Sequence, residues 1–248
     1  MLGPCPMTIA NDLLGEIRES MSAATVYASV SDFKVKYFLH QADKLANADA
    51  YQAFVARALI HTLVGNSDEA FRCVKNAKHL GRGRAQWLWV YELNVFENLG
   101  YFSKAAGIFK ENAEVAVTDE SFVAAALSCG AFDYVSSAFA GFPVANTDIG
   151  HAGVKLAERC VMSLQKVGLS QEHVQKVLDL AGDVMRRHRI FPSSTAPLIH
   201  AYDDGLLYQL PVPVNAEASA QMTDEVVSEL IERELDLLEF SFRFVPFE

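Results

Sequence analysis

The chain has 248 residues, 51% of them apolar, and its scarcity of glycine and proline is typical of a compact, mostly helical protein rather than a disordered one. Its net charge of −10, of which −7 lies in residues 215–248, disfavours general binding to nucleic acid, although a local basic patch can still bind it. No apolar run approaches the roughly 18 residues of a membrane span, and residues 1–10 do not resemble a secretory signal, so the sequence predicts a cytoplasmic protein without a membrane partner.

Two helices are predicted before residue 50. Apolar residues recur at helical spacing over residues 11–29 and predict the first of them. Ser31 or Asp32 can cap the second, which carries an apolar stripe from Phe33 to Leu45. These helices have the form of a hairpin.

The stretch from residue 50 to residue 114 repeats one pattern at an offset of 35 positions. Each copy has an aromatic residue, then a glycine, an alanine and a further apolar residue; they are Phe54, Gly65, Ala70 and Val74 in the first copy and Trp89, Gly100, Ala105 and Phe109 in the second. Glycine ends a helix because it takes the left-handed conformation without steric cost, and alanine lets a second helix approach closely. We therefore predict two consecutive helical hairpins, with Ser67 and Ser103 capping their return helices.

This stretch resembles the tetratricopeptide repeat, whose units of about 34 residues carry W-x2-L-G-x2-Y, then A-x3-F, then proline. Trp89, Phe96 and the alanine and phenylalanine of the second copy match, whereas Glu92 and Leu93 stand where the family has leucine and glycine, and the closing proline is missing. The resemblance is clearest over residues 50–116. It implies a mainly α fold, a tetratricopeptide-like array of antiparallel helix pairs, and a non-enzymatic scaffold or adaptor that binds protein partners in the groove of the array.

The array is predicted to continue beyond the two clear units. Thr118 can cap a short helix, and a longer helical pair over residues 151–189 is joined at Gly168, with Ser170 as the cap of its second helix. Residues 1–190 are therefore predicted to form a helical-repeat domain. A linker is predicted over residues 191–205.

The residues from 206 to 248 are predicted to form a small α/β cap with the order strand, helix, strand. The segment 206–214 is apolar with two prolines, which predicts at best an edge strand. Thr223 can cap the helix, and three phenylalanines that alternate with other residues from Phe240 onward predict the last strand. The apolar face of the cap must be buried against the helical pair or against a second copy, so a homodimer through the cap is one expectation.

Two surfaces are candidate partner-binding sites. Trp87, Asn94, Glu97 and Asn98 fall on the stripe of the second unit opposite its packing residues, where the resemblance places a bound peptide. A basic stretch that contains Arg72, Lys75, Arg82 and Arg84 offers cations to a carboxylate or phosphate. Other interpretations are that this stretch binds an acidic protein, that it binds the chain's own acidic helix, or that it binds nucleic acid and the protein is a regulator. An ordinary solvated face, with no ligand, is the commonest outcome for such residues.

Catalytic motifs are missing from the sequence. It has no phosphate-binding glycine loop, no G-x-S-x-G and no H-E-x-x-H, and its four cysteines form no CxxC pair, so no cofactor and no metal site are predicted. His200, Asp203 and Asp204 are the residues best suited to acid–base chemistry, and a hydrolase or transferase in the cap is the alternative that they support. The aspartates precede Gly205, and the same residues are typical of a turn, which we favour.

Overall fold

The computed structural model describes residues 6–81, 88–112, 121–139, 147–192, 196–235 and 238–247. These residues are mainly helical, with a small sheet near the C-terminal end. The helices are α1 (Pro6–Ser22), α2 (Phe33–Ala46), α3 (Ala50–Leu63), α4 (Ser67–Leu80), α5 (Leu88–Asn98), α6 (Phe102–Glu111), α7 (Ser121–Ser128), α8 (Phe132–Tyr134, continued by a π-helical turn Val135–Phe139), α9 (Asp148–Val167), α10 (Gln171–Arg187) and α11 (Ala216–Glu232); the strands are β1 (Leu198–Tyr202), β2 (Gly205–Val212) and β3 (Phe240–Pro246). The mainly α fold with a strand-containing C-terminal region is confirmed.

The chain forms two compact units. One comprises Met1–Leu99 with Arg189–Pro192, and the other Gly100–His188 with Ser193–Glu248. The division at Gly100 places α5 and α6, the two helices of the second predicted hairpin, in different units. The tetratricopeptide-like assignment and the division into domains 1–190 and 206–248 stay predictions.

The first unit is built around α3. This helix is apolar on nearly all sides, and it contacts α1, α2, α4 and α5, as expected for a helix at the centre of a core. Among the repeat residues of this unit, Ala70 and Trp89 are buried as predicted, whereas Phe54 is half-buried beneath the guanidinium of Arg57, 5.5 Å from the ring centroid.

The turn between α3 and α4 follows the predicted glycine but uses a different cap. Gly65 has φ +76°, so it completes the turn in the left-handed conformation. The next residue, Asn66, is already the N-cap, and its side chain accepts a hydrogen bond from the Glu69 N–H at 3.2 Å. The prediction of Ser67 as the cap was therefore wrong by one position.

In the second unit, α9 and α10 form the long helical pair that the sequence predicts. Gly168 joins them with φ +74°, and the Ser170 side chain caps α10 by accepting from the His173 N–H at 3.2 Å. The cap of α9 is Thr147, so this helix begins before residue 151, where the sequence predicts the start of the helical pair. Helix α6, with Ala105 and Phe109 buried, packs against α10.

The cap of α6 comes from another helix. The N–H of Ser103, in the first turn of α6, donates to Oδ1 of Asp179 on α10 at 2.9 Å, so this carboxylate occupies the place of an N-cap side chain. The residue at the N-cap position itself, Tyr101, makes no side-chain cap bond. The prediction of Ser103 as the cap was wrong because the capping group lies 76 residues away in the chain.

The sheet has the order β1-β2-β3, with β1 antiparallel and β3 parallel to β2, and α11 connects the two parallel strands. The prediction of residues 206–214 as at best an edge strand was wrong, because β2 is the central strand. Its proline is tolerated since β1 pairs with β2 only as far as Gln209, so the missing N–H of Pro211 breaks no bond to β1. Strand β1 lies inside the range 191–205 that was predicted as a linker.

Helix α11 begins earlier than the sequence suggests. Its cap is Asn215, whose side chain accepts from the Ala218 N–H at 2.9 Å. Thr223, predicted as the cap, lies inside the helix and accepts a hydrogen bond from the Phe244 N–H of β3 at 3.0 Å. No helix in the described ranges has the length and apolar content that crossing a bilayer requires.

Candidate functional site

Three of the predicted groove residues, Asn94, Glu97 and Asn98, lie on one face of α5. The amides of Asn94 and Asn98 donate to the carbonyl oxygens of Val90 and Asn94, each at 2.8 Å, so both are engaged with their own helix. Glu97 is half-buried and has no hydrogen-bond or ion-pair partner in the described part of the chain, and burial raises the pKa of its carboxyl to about 7. Trp87 lies outside the described residues.

Of the described part of the basic stretch, one arginine and one lysine are already paired. The guanidinium of Arg72 pairs with the carboxylate of Glu69 on the same helix. Lys78 reaches α5, where its Nζ lies 2.6 Å from Oε1 of the buried Glu92. Lys75 is exposed and has no ion-pair partner among the described residues. Arg82 and Arg84 lie outside them.

The acidic face of α11 contacts Arg187 and His188 at the end of α10. Arg187 lies 2.6 Å from Glu229 and 3.3 Å from Glu225, and the imidazole of His188 lies 2.7 Å from the carboxylate of Glu225. Burial alone would raise the pKa of the Glu225 carboxyl, but hydrogen bonds from His188 and Arg187 outweigh it and hold that pKa below its ordinary value. Arg187 thus pairs with both Glu225 and Glu229, and His188 contacts Glu225.

A double-mutant cycle of Arg187→Ala and Glu229→Ala should give a coupling of about 0.5–1 kcal/mol, because this pair is partly shielded from water. Urea unfolding of the four proteins measures the coupling, and it should fall in 1 M salt, where the Debye length is roughly 3 Å. The pair Lys166 and Asp203 is the control, since its side chains are 60% and 98% exposed and its coupling should be close to zero. Equal coupling in both pairs would contradict this account.

His200, Asp203 and Asp204 form the end of β1 and the turn into β2, as favoured from the sequence. The ring of His200 is exposed and stacks on Tyr202, with centroids 6.3 Å apart. The carboxylate of Asp203 faces Nζ of Lys166 at 3.0 Å. The two aspartates line different depressions of the surface, and His200 lines neither of these two.

A groove lies between α9 and the end of β1, and its volume is about 520 Å³. We call it the β1 edge groove; its lining residues are Arg159, Met162, Ser163 and Lys166 of α9, and Ala201, Tyr202 and Asp203. The hydroxyl of Ser163 lies 2.7 Å from the carbonyl oxygens of Tyr202 and Gly205. This contact holds α9 against the turn between β1 and β2, so α9 forms one side of the groove and the end of β1 forms the other.

The hydrogen bonds of β2 determine which backbone groups of β1 are paired. The N–H of Leu206 donates to the carbonyl of Glu239 at 2.8 Å, and the carbonyl of Val212 accepts from the N–H of Phe247 at 3.1 Å. The even-numbered backbone groups of β2 therefore point toward β3. Since successive residues of a strand point in opposite directions, its odd-numbered groups point toward β1.

Among the described residues, nothing pairs with the outer side of β1. His200 lies opposite Leu207, so its backbone groups pair with β2. The neighbouring Ile199 and Ala201 then direct their N–H and C=O groups away from the sheet. No described residue makes a hydrogen bond to these outward groups. An edge of this kind can pair with another strand.

Three large apolar side chains beside the groove are exposed. Met162 of α9 is 59% exposed, Leu198 is 53% exposed and Tyr202 is 52% exposed. Leu198 and Tyr202 lie on the same face of β1, because they are four residues apart in a strand. The groove therefore joins exposed apolar surface to an unpaired strand edge, a combination typical of protein-binding surfaces.

This site was not predicted from the sequence. Leu198-Ile-His-Ala-Tyr202 followed by two aspartates and a glycine is typical of a strand entering a two-residue turn, and this signal was available. The exposed stripe of α9 was harder to predict from the sequence, because periodicity shows which residues share a face of a helix but not which face other elements cover.

No protein-family model matches the chain, and comparisons with curated proteins and with solved structures give no significant match. Within the described ranges, no three histidine, cysteine, aspartate or glutamate side chains are grouped so that they could hold a metal ion. Cys73, Cys129 and Cys160 are buried, and burial raises the pKa of Cys160 to about 12. The β1 edge groove is the candidate site that the described residues define.

Proposed function

We propose that the chain is a non-enzymatic scaffold or adaptor that binds protein partners, and that the β1 edge groove is its partner-binding site. The observation that carries this proposal is the outer side of β1, which has no hydrogen-bond partner in the described ranges and lies beside the exposed side chains of Met162, Leu198 and Tyr202. Main-chain hydrogen bonds at such an edge provide affinity for a protein segment, and adjacent side chains provide specificity.

The energetics favour a partner that covers the apolar side chains. Removing apolar surface from water contributes roughly 25 cal/mol per Å², and aromatic residues such as Tyr202 are frequent anchors of interfaces. The sheet and α9 hold these groups in place before binding, so little ordering entropy opposes the contact. The face of α5 that carries Asn94, Glu97 and Asn98 stays a candidate site for a second partner, as does the basic stretch. Such a second site is expected if the array is tetratricopeptide-like.

A displayed library of natural protein segments, selected against the full chain, tests the proposal. Selected segments should bind the Tyr202→Ala and Met162→Asp proteins at least about tenfold more weakly, because each change removes an anchor from the β1 edge groove. The matched control is Val227→Ala on α11, an apolar side chain that is also partly exposed but lies outside the groove. Thermal melting should show that all three variants are folded.

Two results would overturn the proposal. One is a selection that yields no segment with measurable affinity. The other is a set of selected segments whose binding all three substitutions weaken equally, since this would place the contact outside the β1 edge groove.

A further inference from the structure

We infer that the β1 edge groove binds an extended acidic segment of a partner protein, which adds to β1 as a fourth strand of the sheet. This inference rests on the proposed function and specifies the chemistry of the partner. Three properties of the described residues carry it: the state of the two sheet edges, the charge of α9, and the alternation of side chains along β1.

The two edges of the sheet differ in their ability to accept a strand. On the outer side of β3, the N–H of Phe244 already donates to Oγ1 of Thr223 on α11, at 3.0 Å. On the outer side of β1, Ile199 and Ala201 have no such partner among the described residues. Strand β1 also contains no charged residue or proline, the usual devices that prevent an edge from pairing. A new strand therefore adds at β1.

The charge of α9 selects an acidic partner. Lys155, Arg159, Met162 and Lys166 are spaced by four, three and four residues, so they form one continuous stripe, and all four are exposed. Asp203 neutralises Lys166, whereas Lys155 and Arg159 have no ion-pair partner in the described part of the chain. A chain of net charge −10 thus presents cations where the groove lies. Complementary charge guides association and excludes partners of the wrong sign.

The faces of the sheet then predict the sequence pattern of the segment. Ile199 and Ala201 point toward the helices, whereas Leu198, His200 and Tyr202 point to the opposite, exposed face. Alternate residues of an added strand follow the same two directions. Those on the α9 side meet Arg159, and those on the other side meet the exposed face of β1. The preferred segment therefore alternates acidic and apolar residues.

A second copy of this chain fits the edge less well. Pairing of β1 with β1 by a two-fold axis would place both α9 helices on one face of the joined sheet. The unpaired Lys155 and Arg159 of the two copies would then approach each other, and like charges across an interface oppose association. We therefore assign the edge to an acidic segment, with self-association as an outcome of the test.

The test measures binding of a fluorescently labelled peptide of alternating valine and glutamate, longer than the five residues of β1, to the full chain at low salt. A peptide with lysine in place of glutamate should not bind. Arg159→Glu should weaken binding about tenfold, because an attraction is replaced by a repulsion. The matched control is Lys176→Glu on α10, which has the same charge change and should leave affinity within about twofold.

Ala201→Pro tests strand addition itself. The N–H of Ala201 points away from the sheet, so proline at this position leaves the pairing with β2 intact. It removes a donor and blocks an approaching strand, and we expect at least a tenfold loss of affinity. Hydrogen exchange of the unmodified protein provides a second measurement that does not depend on how the variant folds. On peptide binding the amides of Ile199 and Ala201 should become protected, whereas that of His200, already paired with β2, should not change.

Each outcome decides the inference. Peptide binding without new protection at Ile199 and Ala201 would overturn strand addition, and equal binding of the lysine peptide would overturn the charge assignment. Dimerisation in sedimentation experiments, with protection of the same amides in the absence of peptide, would assign the edge to a second copy. Library segments that bind at Tyr202 but are insensitive to Ala201→Pro would overturn this inference and leave the proposed function standing.

Discussion

Replacing Gly182 with alanine is expected to lower the free energy of unfolding by about 3 kcal/mol, the upper end of the effect of overpacking. A Cβ atom at this position on α10 would lie 1.9 Å from the carbonyl oxygen of Gly100 and 2.8 Å from its Cα. Both are backbone atoms, so no side chain can rotate to make room. Urea unfolding, or a melting temperature lower by about 10 °C, measures the loss.

The start of α6 cannot simply move away from α10, because the residues on either side of Gly182 hold it in place. One turn before Gly182, Asp179 accepts the hydrogen bond from the N–H of Ser103. One turn after it, the guanidinium of Arg186 lies 4.1 Å from the ring centroid of Tyr101. Relief of the clash would break one or both of these contacts, which is why we expect a value at the upper end.

Gly107→Ala is the matched control, because it changes the same residue type in a helix of the same unit. Nothing lies within 4 Å of a Cβ at Gly107, and alanine is the better helix former, so this variant should be more stable by about 0.5–1 kcal/mol. If both alanine variants lose stability equally, the close approach of Gly182 to Gly100 does not determine the effect.

The role of Gly182 shows where sequence-based prediction ends for this protein. Gly65, Gly100 and Gly168 could be predicted as helix ends, since a glycine after an apolar periodic stretch is a local signal, and all three have positive φ. Gly182 lies inside α10, where a sequence shows only a residue that weakens a helix. Its partner Gly100 is remote in the chain, and only the packing of α6 on α10 brings the two together.

Whether a capping residue was predicted correctly also depends on how local its hydrogen bond is. Ser170 was predicted correctly because its bond to the His173 N–H is local. Ser103 was predicted wrongly because the carboxylate of Asp179, from another helix, takes the capping position. Thr223 was predicted wrongly because the first two turns of α11 are weakly apolar, and periodicity therefore detected only the later part of the helix.

The candidate site combines predictable and unpredictable parts in a similar way. Strand β1 and its turn carry a local hairpin signal, and the stripe formed by Lys155, Arg159 and Lys166 can be counted along a helix. That the unpaired side of β1 lies beside this stripe depends on the register of β1 with β2 and on the packing of α9, which are non-local. Among the residues predicted to line the groove of the helical array, Glu97 is the one whose pKa burial raises strongly.

Glu97→Gln is expected to raise the free energy of unfolding by about 1–2 kcal/mol at about pH 8, and to have little effect at about pH 4. Burial raises the pKa of this carboxyl from its ordinary value of 4.5 to about 7, and no other cause contributes. Between these two values the folded protein keeps a proton that the unfolded chain has already lost, and at about pH 8 it must hold the charged carboxylate in a partly buried position. A shift of this size corresponds to more than the stated effect, but Glu97 is only half-buried, and water reduces the penalty.

The sign of the pH dependence follows from the direction of the shift. Below about pH 4, Glu97 is protonated in both states and contributes no penalty. Between about pH 4.5 and 7 the unfolded chain ionises first, so the stability of the unmodified protein should fall across this window and level off above it. Glutamine cannot ionise, so the difference between variant and unmodified protein should grow over the same window.

Glu92→Gln provides the control, because Glu92 lies on the same helix but has a partner. Its buried carboxylate accepts a hydrogen bond from Nζ of Lys78 at 2.6 Å, so glutamine at this position should destabilise the fold by about 1 kcal/mol at about pH 8. The two substitutions should thus have opposite signs at the same pH. If Glu97→Gln also destabilises the protein at about pH 8, the carboxylate of Glu97 has a compensating partner in solution, and its pKa is not raised by burial alone.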